Sequence, residues 1–316
     1  MNNAAFKGGV WSATPTPLTS DFRVDRPAIR RLVDHHVTIG VSGLMLAGTC
    51  GEGPWLTDEQ REVLTRTAVE ESAGRLRIAV NATDNSVGRV LHNIAAAARH
   101  GAEIAVVAAP YFWLNATPTR LVGHYREIAR LSPLPIGLYD RSAAGPYVVP
   151  ADHLEEVLEE PRIAMVKDSS NCGIRRGYFL AARRRRPELL LLNGNEFKCV
   201  DYLREGYDGV LLGGAIFNAR LVHRIMAAVR AGDVAAAEKL QTRMNDLMYR
   251  VYGGPKIECW LAGLKELMVR MGLFSTTANI PGYQLTNTCR MQINAAVTGA
   301  DAMGFDEDLF GASNRS

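Results

Sequence analysis

Short runs of apolar residues alternate along this chain with longer stretches in which apolar and charged positions recur at helical spacing. The runs cover residues 8–14, 43–49, 78–83, 104–110, 135–139, 163–167, 189–193 and 209–214. Each is too short for a buried helix and is flanked by turn-forming residues, which predicts strands. Their near-continuous apolarity predicts strands covered on both faces, as in a parallel sheet. Amphipathic segments between them predict helices over 25–39, 57–72, 86–100, 117–131, 150–158, 174–185 and 196–205. Thr57 with Gln60 three positions on has the form of a capping box. Strand–helix alternation predicts right-handed crossovers. Eight such units favour an α/β fold closed as a (β/α)8 TIM barrel over an open sheet.

Beyond the eighth run the period changes. Helices are predicted over 219–230, 234–252, 255–271 and 283–298, with no further strand. Gly253-Gly254-Pro255 marks a break, with Pro255 expected in a first helical turn. The expected organisation is therefore a catalytic barrel over 1–232 and a C-terminal helical extension over 233–316, ending in a frayed polar tail from Gly311. The total of 316 residues accommodates a barrel of about 250 residues with such an appendage.

Composition narrows the function. A net charge of +3 is too small to suggest a nucleic-acid partner. No apolar stretch is long enough to span a membrane, and 1–10 lacks the pattern of a secretory signal. The five cysteines are scattered and form no C-x-x-C pair, so disulfides and structural zinc are not expected, and a reducing, cytoplasmic setting is.

In a (β/α)8 barrel the reactive groups sit at the C-terminal ends of the strands. The sixth run ends in Lys167, directly after Ile163-Ala164-Met165-Val166. A lysine at an apolar barrel mouth can lose its proton and attack a ketone. It can equally sit in a salt bridge to Asp168 or Glu196, and position alone does not separate the two. Tyr139 ends the fifth run and can pass protons if its hydroxyl is held. Residues 48–53 form a glycine-rich turn whose N–H groups could cradle an anion, although the segment matches no nucleotide-phosphate motif. His35, His36 and the basic run 183–186 are expected on the surface.

Taken together these residues resemble the dihydrodipicolinate synthase / N-acetylneuraminate lyase family, over Gly9 to about Leu273. The family's G-[ST]-[TSN]-G-E loop is similar to Gly48-Thr49-Cys50-Gly51-Glu52, its strand-five tyrosine to Tyr139, and its K-[DE]-[SA]-[ST] segment to Lys167-Asp168-Ser169-Ser170. The resemblance implies a class I aldolase or lyase. Lys167 condenses with pyruvate or a longer 2-keto acid, Tyr139 shuttles protons with Thr49 hydrogen-bonded to it, and the N–H groups of Thr49 and Cys50 hold the carboxylate. It implies no metal or organic cofactor, since the lysine supplies the electron sink, and it implies a homotetramer. Asn195-Glu196 resembles the polar pair that sugar-acid lyases of the family turn towards substrate hydroxyls. Gly194 and Ala215, at the ends of the seventh and eighth runs, complete the expected substrate-contacting set.

Three departures shape the expected substrate. Cys50 stands where a hydroxyl or amide is usual. Phe112 stands where the synthases carry a relay tyrosine. Ala144 falls where they carry a carboxylate-binding arginine, with Arg141 three residues earlier. The expectation is a 2-keto-3-deoxy sugar acid or related hydroxylated keto acid. The alternatives are a dehydratase of the same family, 4-hydroxy-tetrahydrodipicolinate synthase, or a barrel that binds without turnover. Trp55, Tyr111 and Trp113 would instead suit an aromatic-walled pocket.

Overall fold

A computed structural model describes residues 6–142, 145, 147–300 and 304–311. All eight apolar runs are strands: β1 (Gly9–Ser12), β2 (Gly43–Leu46), β3 (Arg77–Asn81), β4 (Ile104–Val107), β5 (Ile136–Asp140), β6 (Ile163–Asp168), β7 (Leu190–Asn193) and β8 (Gly209–Leu212). They pair in parallel, in sequence order, and β8 closes on β1, giving a (β/α)8 barrel. The helices between them are α1 (Arg26–Thr38), α2 (Asp58–Ser72), α3 (Val87–Arg99), α4 (Pro118–Leu131), α5 (Leu154–Leu158), α6 (Gly173–Arg185) and α7 (Cys199–Arg204). Then follow α8 (Ala215–Arg230), α9 (Val234–Tyr252), α10 (Trp260–Arg270), α11 (Asn287–Thr298) and α12 (Asp306–Phe310).

The strands alternate between two buried faces. Trp11, Met45, Ala79, Ile104, Val106, Met165, Leu190, Leu192 and Leu211 fill the interior of the barrel, while their neighbours Val10, Leu44, Val107, Leu138, Val166 and Leu191 face the helices. This double burial is why the strands read as unbroken apolar runs. Gly43 makes room for Trp11: a Cβ there would lie 2.5 Å from the indole ring. The Thr57–Gln60 capping box is formed at the start of α2, a device that typically contributes about 1 kcal/mol.

Several local expectations are corrected. The helix after the Gly253-Gly254 break begins at Trp260, not Pro255, and 254–259 is a turn. The short α12 has no counterpart in the sequence pattern. His36 is fully buried rather than superficial; its ring bonds Leu32 O at 2.7 Å and Ser12 Oγ at 2.9 Å. In the basic run, Arg183 pairs with Asp208, and Arg186 reaches the carbonyls of Leu158, Glu160, Pro161 and Ile163. These two tie α6 to the strands instead of forming a solvated face. Residues 312–316 of the tail lie outside the described residues, as do Ala143 and Ala144.

The C-terminal helices are not a loose appendage. α9 packs against α8, α10 and α11, and Met244, Leu247, Met248, Leu264 and Leu267 are part of the same buried cluster as β1, β2 and β8. Among the described residues no helix is long and apolar enough to cross a membrane.

Candidate active site

Lys167 and Tyr139 occupy paired positions on β6 and β5. Paired residues of neighbouring parallel strands share a face, and here it is the interior one. The Lys167 Nζ lies 4.2 Å from the centre of the Tyr139 ring, and Lys167 is only 5% exposed. The neighbouring pair, Asp140 and Asp168, turns outward. Asp140 meets Arg175 at 2.6 Å, with both side chains buried. Asp168 accepts from the Tyr207 hydroxyl at 2.6 Å and from the Ser170 N–H at 2.8 Å. Among the described residues Lys167 has no ion-pair partner, so the salt bridge to Asp168 or Glu196 that the sequence left open is not formed.

Tyr139 is poised towards its phenolate. Burial alone would raise its pKa, but the charge of Lys167, then that of Arg141, and hydrogen bonds from Thr49 and Ser169 bring it below the ordinary tyrosine value. Thr49 is where the sequence places it. Ser169 is an addition, although its place two positions after Lys167 on a strand-like segment puts it on the same face.

The segment after β2 winds tightly. Ala47 and Glu52 both adopt positive φ, at 52° and 61°, a costly conformation for residues with a Cβ. Gly53 is required by close approach, since a Cβ would fall 1.7 Å from Ala47 O. The turn is closed by Glu52 N–H to Thr49 O at 3.2 Å and Gly53 N–H to Gly48 O at 3.0 Å. Arg61 grips it from α2, donating to Gly53 O at 2.8 Å and to Asn81 O at 3.1 Å. Among the described residues, the backbone N–H groups of Thr49 and Cys50 have no acceptor within the chain. Buried N–H groups are rarely left so. The Cys50 thiol is pushed up to about 12, first by burial and then by Glu196, so it is a neutral thiol at physiological pH.

Glu196 follows β7. Its Oε2 accepts from the Gly214 N–H at 2.8 Å and its Oε1 from the Tyr252 hydroxyl at 3.0 Å. Burial raises its pKa; those two hydrogen bonds and Lys167 oppose the rise without cancelling it. A Cβ on Gly213 would sit 3.5 Å from Cys50 Sγ and 3.9 Å from Glu196 Oε1, so these two side chains adjoin across the end of β8. Lys167, Tyr139, Thr49, Cys50 and Glu196 thus converge at one end of the barrel. The remaining expected contacts are arranged differently. Asn195 Oδ1 accepts from the Phe197 N–H at 3.2 Å, capping the short turn that follows. Gly194 leaves space that Ser169 uses: a Cβ would fall 2.1 Å from its Oγ. Ala215 is fully buried at the start of α8.

The aromatic residues do not gather into one wall. Phe112 is 64% exposed and Trp55 also faces solvent. Trp113 donates its indole N–H to Asn85 O at 2.6 Å and packs edge-on against His124. The Tyr111 hydroxyl lies 3.4 Å from Asn81 Nδ2.

Known proteins match this chain in sequence and fold over nearly its whole length. The model of the dihydrodipicolinate synthetase family matches residues 6–300. The 4-hydroxy-tetrahydrodipicolinate synthase of Nitrosospira multiformis is 28% identical over 301 residues, covering 95% of this chain and 97% of the relative. The structure of dihydrodipicolinate synthase from Bacteroides thetaiotaomicron is 25% identical and superposes with a TM-score of 0.84, over 94% of this chain and 99% of that one. YagE of Escherichia coli K12, a prophage protein of the dihydrodipicolinic acid synthase family solved in complex with pyruvate, superposes with a TM-score of 0.83 at 22% identity, over 93% and 98%. With the family model spanning the barrel and most of the C-terminal helices, the chain belongs to the dihydrodipicolinate synthetase family.

Proposed function

We propose that this enzyme is a class I aldolase or lyase in which Lys167 forms a Schiff base with pyruvate or a hydroxylated 2-keto acid. The observation that carries the reading is the pairing of Lys167 with Tyr139, Nζ 4.2 Å from the ring, at the C-terminal end of a closed barrel. Once Lys167 has given up its proton, its amine adds to the ketone, and loss of water from the carbinolamine gives the iminium. That cation draws electrons from the bond at C3, so a C–C bond there can break or form through the enamine. Tyr139, inclined to ionise by its neighbours, takes and returns the protons these steps require, with Thr49 and Ser169 holding its oxygen. The free N–H groups of Thr49 and Cys50 receive the keto-acid carboxylate. Gly194, Asn195, Glu196 and Ala215 border the remainder of the substrate. Pyruvate is favoured as the simplest keto acid by the pyruvate complex of YagE. Five unpaired cysteines suit a reducing, cytoplasmic setting, and the assembly proposed is the homotetramer that the family resemblance implies.

A second reading rests on Glu196. A carboxyl group whose pKa is raised by burial, beside Lys167, is suited to protonate a departing hydroxyl. That would make the enzyme a dehydratase acting through the same imine. A panel of keto acids with borohydride trapping and mass spectrometry tests both. A trapped adduct on Lys167 supports Schiff-base chemistry, and loss of the adduct in Lys167→Ala is expected. Undiminished trapping in that variant would overturn the proposal. Product analysis separates cleavage from dehydration.

A further inference from the structure

Glu52 closes the turn that carries Thr49 and Cys50, and its side chain is completely buried. Its Oε1 meets the ammonium of Lys265, from the middle of α10, and Lys265 is completely buried as well. Its Oε2 accepts from the Ile280 N–H at 2.6 Å. The Lys265 Nζ also donates to Ala278 O at 2.5 Å. Nearby, the Thr276 hydroxyl donates to Leu18 O at 2.6 Å. Burial lowers the pKa of Lys265, with Glu52 acting against that shift.

Burying two charges is expensive, and an apolar pair of similar volume often serves stability as well or better. The partners of this pair suggest a second duty. Glu52 is bonded through its own N–H to Thr49 O at 3.2 Å, so the backbone that carries this anchored side chain also holds the carbonyl of the Thr49–Cys50 peptide. On the barrel side the same turn is held by Arg61 on Gly53 O and by the Thr16 hydroxyl on Gly51 O at 2.6 Å. Lys265 is the fixture on the opposite side.

We infer that Lys265 is a positioning residue which, through Glu52, sets the direction of the Thr49 and Cys50 N–H groups, so that the C-terminal helices complete the seat of the substrate carboxylate. This rests on the reading that those N–H groups bind the keto-acid carboxylate. Lys265 touches no reacting atom. Its effect falls mainly on recognition of the anion, because Lys167 and Tyr139 stand on neighbouring strands and Thr49 reaches Tyr139 through its side chain, whereas the anion is met by backbone N–H groups.

The test compares pyruvate with methyl pyruvate, which has the ketone but no carboxylate. Borohydride trapping is measured against concentration for the wild type, Lys265→Met and Glu52→Gln, with thermal unfolding run in parallel. The pyruvate concentration for half-maximal trapping should rise roughly tenfold to a hundredfold in the variants, the usual scale for a misdirected bond to a charged group. The value for methyl pyruvate, whose ester offers those N–H groups only a neutral acceptor, should move much less. Equal shifts for both compounds, or a lower melting temperature with no shift in either, would mean a purely structural pair and overturn the inference. If Lys265→Met does not fold, the same comparison rests on Glu52→Gln, which keeps the shape of the side chain and an acceptor for Ile280. Failure of the wild type to trap either compound would instead sink the Schiff-base reading itself.

Discussion

Tyr139 and Lys167 stand side by side because β6 carries one extra residue relative to β5. Ile136 pairs with Ile163, but Gly137 pairs with Met165, so Ala164 is skipped and every later pair is displaced by one. Without that bulge Tyr139 would pair with Val166, and Lys167 would point to the opposite face from Tyr139. Bulges are frequent next to active sites, where they re-aim a side chain.

The pairing makes Tyr139→Phe informative. Removing only the hydroxyl leaves the ring against Lys167, so the fold and the trapped adduct should persist. Turnover should fall by about 10²–10⁴, the usual worth of a positioned acid–base group. Steady-state kinetics with the best keto acid checks this; wild-type rates would show that protons take another route.

The charge of Lys167 also bears on the phenol of Tyr139. The charge of Lys167 favours the phenolate of Tyr139, so Tyr139 should ionise below the ordinary tyrosine value of about 10. Removing that charge in Lys167→Ala should move its ionisation upward. The difference between ultraviolet pH titrations with and without Tyr139→Phe isolates this one phenol. A downward or absent shift would mean that Lys167 does not carry its charge beside Tyr139.

Substrate preference follows from the chain's departures from the synthases. With alanine at the arginine position, an aldehyde bearing its own carboxylate loses an anchor worth about 1.5–3 kcal/mol. Hydroxylated 2-keto acids should therefore show a higher kcat/KM than pyruvate with aspartate semialdehyde. The opposite order would point to Arg141, whose charge already acts on Tyr139 and Tyr111, as a carboxylate anchor in a new place.

His124 predicts a pH dependence of stability. It is buried, both ring nitrogens lack a partner among the described residues, and burial lowers its pKa to about 4 from an ordinary 6.5. Between those values the unfolded chain binds a proton that the folded one refuses, so stability falls as the solution is acidified through that window. Its contribution to the slope is about 1.4 kcal/mol per pH unit. His124→Phe, which keeps an aromatic ring beside Trp113, should reduce the slope of denaturant-derived stability between pH 6.5 and 4 by about that amount, leaving the part due to His36, which burial lowers to about 3. An unchanged slope would contradict the assignment.

Much of the barrel is legible in the sequence because double burial makes each strand an apolar run, and because Lys167 and Tyr139 end two of those runs. The parts that escape involve long-range partners. Lys265 lies on the helical stripe of Leu261 and Met268, as His36 lies on that of Ile29, Leu32 and Val33. A polar residue on an apolar stripe signals burial with a partner, but nothing local says that the partner of Lys265 is Glu52. The bulge at Ala164 is equally hidden, since it exists only in the pairing of two strands. The start of α10 differs from expectation because Pro255 suits a first helical turn, whereas positive φ at Ile257 and Trp260 breaks the helical path there.

Trp11 gives the site its direction of traffic. Its indole, with no exposed surface, rests over Gly43 and donates to Lys7 O at 3.3 Å. With Met45, Met165, Leu190, Leu192 and Leu211 it fills the shaft below Lys167. With the interior packed solid beneath it, Lys167 is approached from the C-terminal ends of the strands, so on the proposed reading the keto acid and any aldehyde would use the same entrance, and the product nearer that entrance would be the first to leave.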